Sequence, residues 1–199
     1  MSIPKVSFTT FADFAAASGT SRLTKLRNAK RFYEQDYAPA RDFYRPLREC
    51  IEETFEQGWS SAGFKKALKE VTSAKRVEHY EECREGLSKW VGKKKIEMLP
   101  RFRATWKSGP LSVTVNPELH VKINGVPHLL KLYFKSEPLS KQNINIALHL
   151  LQKKAPKGTT AGILDVRRSK LFTPTVTIPG MDAFLKAEAT AFSSLWASI

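Results

Sequence analysis

Cysteine is scarce in this chain: two residues in 199, Cys50 and Cys83, with no C-x-x-C spacing. Both fall in stretches of helical periodicity, so they read as reduced structural thiols and offer no zinc framework. Long apolar runs are missing as well. The opening stretch, MSIPKVSFTTFADFAAASG, is interrupted by Lys5 and Asp13, which leaves neither a secretory h-region nor a membrane span. The expectation is a cytoplasmic protein with no membrane partner. Glycine-rich phosphate loops are absent too, since KSGP and PKGTTAG have the spacing of neither nucleotide fingerprint. His79, His120, His128 and His149 form no H-x3-H or H-E-x-x-H pattern, and no G-x-S-x-G elbow occurs.

The most informative scarcity is acid. Positions 101–199 hold 14 Lys and Arg against five Asp and Glu, whereas positions 1–100 hold 19 against 14. The net charge of +14 is therefore concentrated in the second half by a lack of carboxylates. Such an imbalance favours a polyanion, through phosphate neutralisation and counterion release, and makes nucleic acid the partner to expect. An acidic protein partner, or self-assembly, would account for the charge equally well, and a merely solvated cationic surface is the reading without a partner. With 42% hydrophobic residues the chain can still bury a sizeable core.

Helical periodicity runs through residues 1–99. Thr10 and Asp13 suit the start of a short helix ending near Gly19, and TSRLTKLRNAKRFYEQ sets Leu23 and Leu26 opposite Arg22, Lys25, Arg27 and Lys30. APARDFYRPLRECIEETFEQG, stopped by Gly58, and SSAGFKKALKEV follow as further helices. SAKRVEHYEECREGLSKWVGKKKIEML reads as one long helix, with Lys93 to Lys95 complementing the dipole at its end. After Pro100 the period changes to two. RATWKS, LSVTVN, LHVKIN, HLLKLYFK, AGILDVR and FTPTVTI are strand-like, SKQNINIALHLLQKK is a helix capped by Ser140, and a last helix spans 182–197. The fold class is α+β: a helical region, 1–99, followed by a meander, helix, hairpin and helix core, 100–199, with a mostly antiparallel or mixed sheet. No linker separates the halves, so they are expected to form one unit.

Asn124-Gly125 is the strongest local signal, because a two-residue type I′ turn needs positive φ at both positions. It sets Glu118 opposite Lys131 and His120 opposite Leu129. Leu119, Val121 and Ile123 then share a core face with Leu130, Leu132 and Phe134. The other face carries Lys122, Lys131, Tyr133 and Lys135, which with Arg167, Arg168 and Lys170 at a later turn are the candidate nucleic-acid contacts.

Residues 100–180, through their order of strands and helix and through Pro117-Glu118 followed by Leu129-Leu130-Lys131, resemble a degraded restriction-endonuclease-like core of the PD-(D/E)XK family. The run N-P-E-L, N-G and K-L-Y-F-K is also similar to bacterial proteins of no assigned activity. The nuclease resemblance implies that Glu118 matches a metal-binding acid and Lys131 the lysine that orients attacking water. Leu129 stands where the second acid belongs, which removes a ligand for magnesium or manganese. The expectation is a nucleic-acid-binding protein without catalysis or cofactor. The alternative is an active metal-dependent nuclease using Glu118, Asp165 and Lys131, in which Asp165 replaces the missing acid. Against it stand two plain ion pairs, Glu118 with Lys131 across the hairpin and Asp165 with Arg167 or Arg168.

Overall fold

A computed structural model describes residues 5–35, 42–71 and 73–199. Strand β1 (Lys5–Ser7) leads into helices α1 (Phe8–Ala15), α2 (Gly19–Glu34), α3 (Arg45–Glu56), α4 (Ser61–Val71) and α5 (Val77–Val91). Strands β2 (Ile96–Met98), β3 (Ala104–Ser108), β4 (Leu111–Val115), β5 (Leu119–Ile123) and β6 (Val126–Tyr133) follow. Helix α6 (Lys141–Lys154), strands β7 (Thr160–Asp165) and β8 (Lys170–Phe172) and helix α7 (Met181–Ser198) complete an α+β fold.

The strands form two mixed sheets. One has the order β1-β4-β3, the other β2-β5-β6-β7-β8. The β5–β6 hairpin turns at Asn124 (φ +50°) and Gly125 (φ +86°), and Leu119 pairs with Leu130 and His120 with Leu129, the register that the Asn-Gly turn dictates. Strand β7 lies parallel to β6, and α6 makes the crossover that a parallel pair requires. Two elements were not legible as strands: β1, which pairs in parallel with β4, and β2, an edge strand beside β5. Both come from residues 1–99 and complete sheets built from 100–199.

Both faces of the five-stranded sheet are covered. Leu119, Val121, Leu130, Leu132 and Leu164 meet α3, α4 and α5 through Leu47, Ile51, Phe64 and Leu87, as the alternation requires. Leu129, Ala161 and Ile163 point the other way, into a second core with α1, α6, α7 and the small sheet. Fully burying one such Leu or Phe side chain contributes about 2 kcal/mol. The face of β6 opposite the first core is thus not a free surface: Leu129 is 0% exposed. Cys50 and Cys83 are buried free thiols, and burial pushes Cys83 up to about 12.

Several local expectations are corrected. Ser7, not Thr10, caps α1, its Oγ accepting from the Thr10 N–H at 3.1 Å. Helix α5 ends at Gly92 (φ +49°), so Lys93 to Lys95 lie beyond it, in the turn before β2. FTPTVTI forms strand only as far as Phe172, because Pro174 has no N–H for a ladder. The proposed start of the third helix includes residues 38–41, which lie outside the described residues. Ser140 caps α6 as expected, accepting from the Asn143 N–H at 3.1 Å.

Candidate nucleic-acid interface

Parallel strands β6 and β7 end side by side at Tyr133 and Asp165, which pair in the ladder. Crevices in sheets with a parallel crossover open at such carboxyl ends, because the following loops diverge there. Two adjoining cavities sit at this edge and share Leu139.

The smaller, of about 160 Å³, lies between α1, α6 and β6. Glu118 and Lys131 are among its lining residues. Lys131 Nζ donates to Glu118 Oε1 at 2.5 Å, and the Leu132 N–H donates to Oε2 at 2.8 Å. The side chains are 8% and 17% exposed, so this is a desolvated ion pair with a backbone donor as its third member. Tyr133 lines the same cavity and donates its hydroxyl to the Glu137 carbonyl at 2.6 Å. Burial, aided by the charges of Glu137, Asp165 and Asp13, pushes the phenol up to about 12, so it remains a neutral donor at neutral pH. Lys135 is exposed, with Asp13 of α1 3.7 Å away.

The larger cavity, of about 740 Å³, is a cleft between α6, β8 and residues 173–178. Arg168, from the β7–β8 turn, and Lys170, at the start of β8, line it. Asp165, 1% exposed, holds Arg168 through both carboxylate oxygens at 3.3 and 3.1 Å, so that acid is neutralised within the fold. Lys170 is exposed and lies over the Phe172 ring at 4.8 Å. The opposite wall supplies residues that composition did not single out: Lys141, Asn145, His149 and Lys153. Their spacing of four is a legible signal in SKQNINIALHLLQKK, since it sets them on one ridge of α6. Asp182 does not cap α7, whose N-cap is Gly180. It bonds His149 Nε2 and Lys153 Nζ at 2.7 Å each, and these two partners draw it down from 3.8 to about 2.

The other candidates lie elsewhere. Arg167 faces inward, tied to the Phe134 carbonyl, Tyr44, His79 and Glu82, and joins β7 to α5. Lys122 pairs in the ladder with Pro127, near the hairpin turn at the far end of β6. Glu188, within α7, meets Arg22 of α2 at 2.9 Å.

A metal does not suit these residues. Glu118 is engaged by Lys131 and Leu132, Asp165 by Arg168, and the two carboxylates line different cavities. Leu129 offers no oxygen. Among the described residues, no group of three His, Cys, Asp or Glu side chains is gathered in a metal-holding arrangement. Among them, too, no helix is long and apolar enough to cross a membrane. Neither a model of any known protein family nor any curated protein sequence matches the chain.

Proposed function

We propose that this protein binds nucleic acid along the carboxyl ends of β6 and β7, in a nuclease-like framework whose catalytic position is closed. The observation that carries the reading is the convergence of Lys135, Lys141, Lys153, Arg168 and Lys170 on two adjoining cavities at one sheet edge. Of these five, Arg168 meets Asp165, Lys153 meets Asp182 and Lys135 lies 3.7 Å from Asp13, whereas Lys141 and Lys170 have no ion-pair partner among the described residues; Glu118 is held by Lys131. What remains at the edge is net positive, and phosphates neutralise such charge with release of counterions. The antiparallel pair β5–β6, followed by α6 and a parallel β7, agrees with the order of strands and helix on which the nuclease resemblance rests. Binding without cleavage is the form of it these residues favour, because Glu118 is the one acid at the matching position.

A salt titration of binding tests this. With about five phosphates neutralised, log K on duplex DNA falls against log salt with a slope of roughly −4 to −5. Replacing Lys135 and Lys170 by Ala reduces that slope by about 2, one unit per lysine. The same change at Lys65 and Lys66, exposed on α4, leaves it nearer the original value. Absence of retention on any nucleic acid at low salt, with capture of an acidic protein instead, would overturn the proposal. Cleavage dependent on magnesium or manganese, lost in both Glu118→Ala and Asp165→Ala, would replace it with the nuclease.

A further inference from the structure

The smaller cavity combines three properties. Its volume of about 160 Å³ is that of a single ring; a cavity of about 150 Å³ is enough to admit benzene. Its lining mixes aromatic and aliphatic side chains with Asp13, Arg48, Lys135 and Asn143. Phe8 and Tyr133 line it, together with Tyr44, whose ring is stacked on Phe134 at 5.3 Å and 19° and is thereby held in place. Its lining also sets a donor beside an acceptor, the Lys131 ammonium and the Glu118 carboxylate. An ammonium has three N–H groups and a carboxylate about four acceptor positions. One N–H and two acceptor positions are used within the site, by Lys131 with Glu118 and by the Leu132 N–H. Both groups therefore retain capacity for a ligand without parting from each other.

We infer that this cavity receives one unpaired pyrimidine base of a single-stranded nucleic acid. The inference rests on the nucleic-acid reading above and assigns that reading its strand type. A pyrimidine presents a donor next to an acceptor on its pairing edge, N4–H₂ beside N3 in cytosine and N3–H beside O4 in thymine or uracil. Glu118 accepts from the donor and Lys131 donates to the acceptor, while the ring lies against Tyr133 and Tyr44. Unpaired bases are held in just this combination of pairing-edge hydrogen bonds and stacking. A free cation is a poor occupant, since Lys131, Arg48 and Lys135 line the cavity with Glu118 and Asp13. A neutral planar ring meets no such repulsion. Lys135, exposed beside the cavity, and the cations of the adjoining cleft then take the phosphates on either side of the inserted base. A base inside a duplex cannot make this entry without being unstacked and unpaired, which costs a few kcal/mol.

The test uses the full-length protein and oligodeoxynucleotides of about twelve positions, within the span that single-strand binding modules cover. One oligomer is abasic throughout; others carry one central thymine, cytosine or adenine in the same abasic chain. All have equal phosphate charge. A single thymine or cytosine should tighten binding about tenfold over the abasic chain, within the range that one stacked base contributes. The adenine oligomer should stay within about threefold of the abasic one, because a purine exceeds a one-ring cavity. Ala147→Leu, which places a larger side chain at a lining position on α6, should bring the thymine-to-abasic ratio toward one in a protein shown to be folded by its thermal melt. Equal affinity of the wild type for the abasic and pyrimidine oligomers would overturn the inference, whether or not the variant folds. Equal gain from adenine would overturn the pyrimidine assignment, and a ratio that persists in folded Ala147→Leu would move the base elsewhere. Failure to bind any of these oligomers, or duplex DNA, at low salt would instead overturn the underlying nucleic-acid reading.

Discussion

At residue 131 the chain holds a lysine that is largely buried, bonded to an acid buried more deeply still. Removing one partner of such a pair leaves an uncompensated charge in a poorly solvated place, whereas removing both leaves none. Lys131→Ala should therefore lower stability by about 3 kcal/mol, and Glu118→Gln in the same chain should return more than half of that loss. Urea denaturation of the two variants decides it; a loss below about 0.5 kcal/mol in the single mutant would mean that Lys131 behaves as a surface residue. Leu129 makes the opposite case. It is 0% exposed and packed in the core that includes Ile163 and the apolar face of α6, so an acid there would be buried among hydrocarbon. Leu129→Glu should therefore destabilise the fold, which urea denaturation checks.

Helix α7 is joined to α6 through Asp182, which stands in the first turn of one and bonds His149 and Lys153 in the last two turns of the other. Its carboxyl is drawn down from 3.8 to about 2. A depressed acid stabilises the fold fully above its ordinary range and loses that contribution as pH falls through the lowered value. The window is therefore from about pH 4 down to about 2, and Asp182→Asn should flatten the acid limb of a stability-against-pH curve there. An NMR titration placing the Asp182 midpoint near 4 would exclude the link. The ridge that makes this contact was readable in spacing alone, as were the hairpin register, the Ser140 cap and the Glu118–Lys131 pairing, because each follows from period and turn chemistry within a short stretch. What was not readable depends on distant partners. β1 is three residues long and exists through β4, more than a hundred positions away; β2 follows a helix that its own lysines prolong on paper until Gly92 stops it. Arg167 looks like a phosphate ligand in sequence, and only the approach of α5 turns it inward. The covering of the second face of β6 by α1 and α6 has the same origin, since alternation identifies a polar face without showing what lies over it.

The sheet is the shared wall of two cores, and that fixes how the molecule comes apart. Helices α3, α4 and α5 cover one face and α1, α6 and α7 the other, so neither the first hundred residues nor the last hundred own a complete core. Residues 100–199 alone would keep β3 to β8, α6 and α7 but lose β1, β2 and every helix that covers Leu119, Val121, Leu130, Leu132 and Leu164. All five of those side chains are buried in the whole chain, and at about 2 kcal/mol apiece their exposure removes about 10 kcal/mol, comparable with the entire stability of a domain. The small sheet suffers as well, since β4 loses its parallel neighbour and becomes an edge. A fragment of residues 100–199 should therefore fail to give a cooperative thermal transition and should bind a hydrophobic dye, while the full chain melts in one step with both cores together. Differential scanning calorimetry of the two proteins separates the possibilities. A sharp transition in the fragment, with dye binding no greater than in the full chain, would mean that the C-terminal strands close a core of their own and that the α3–α5 layer is an appendage to them.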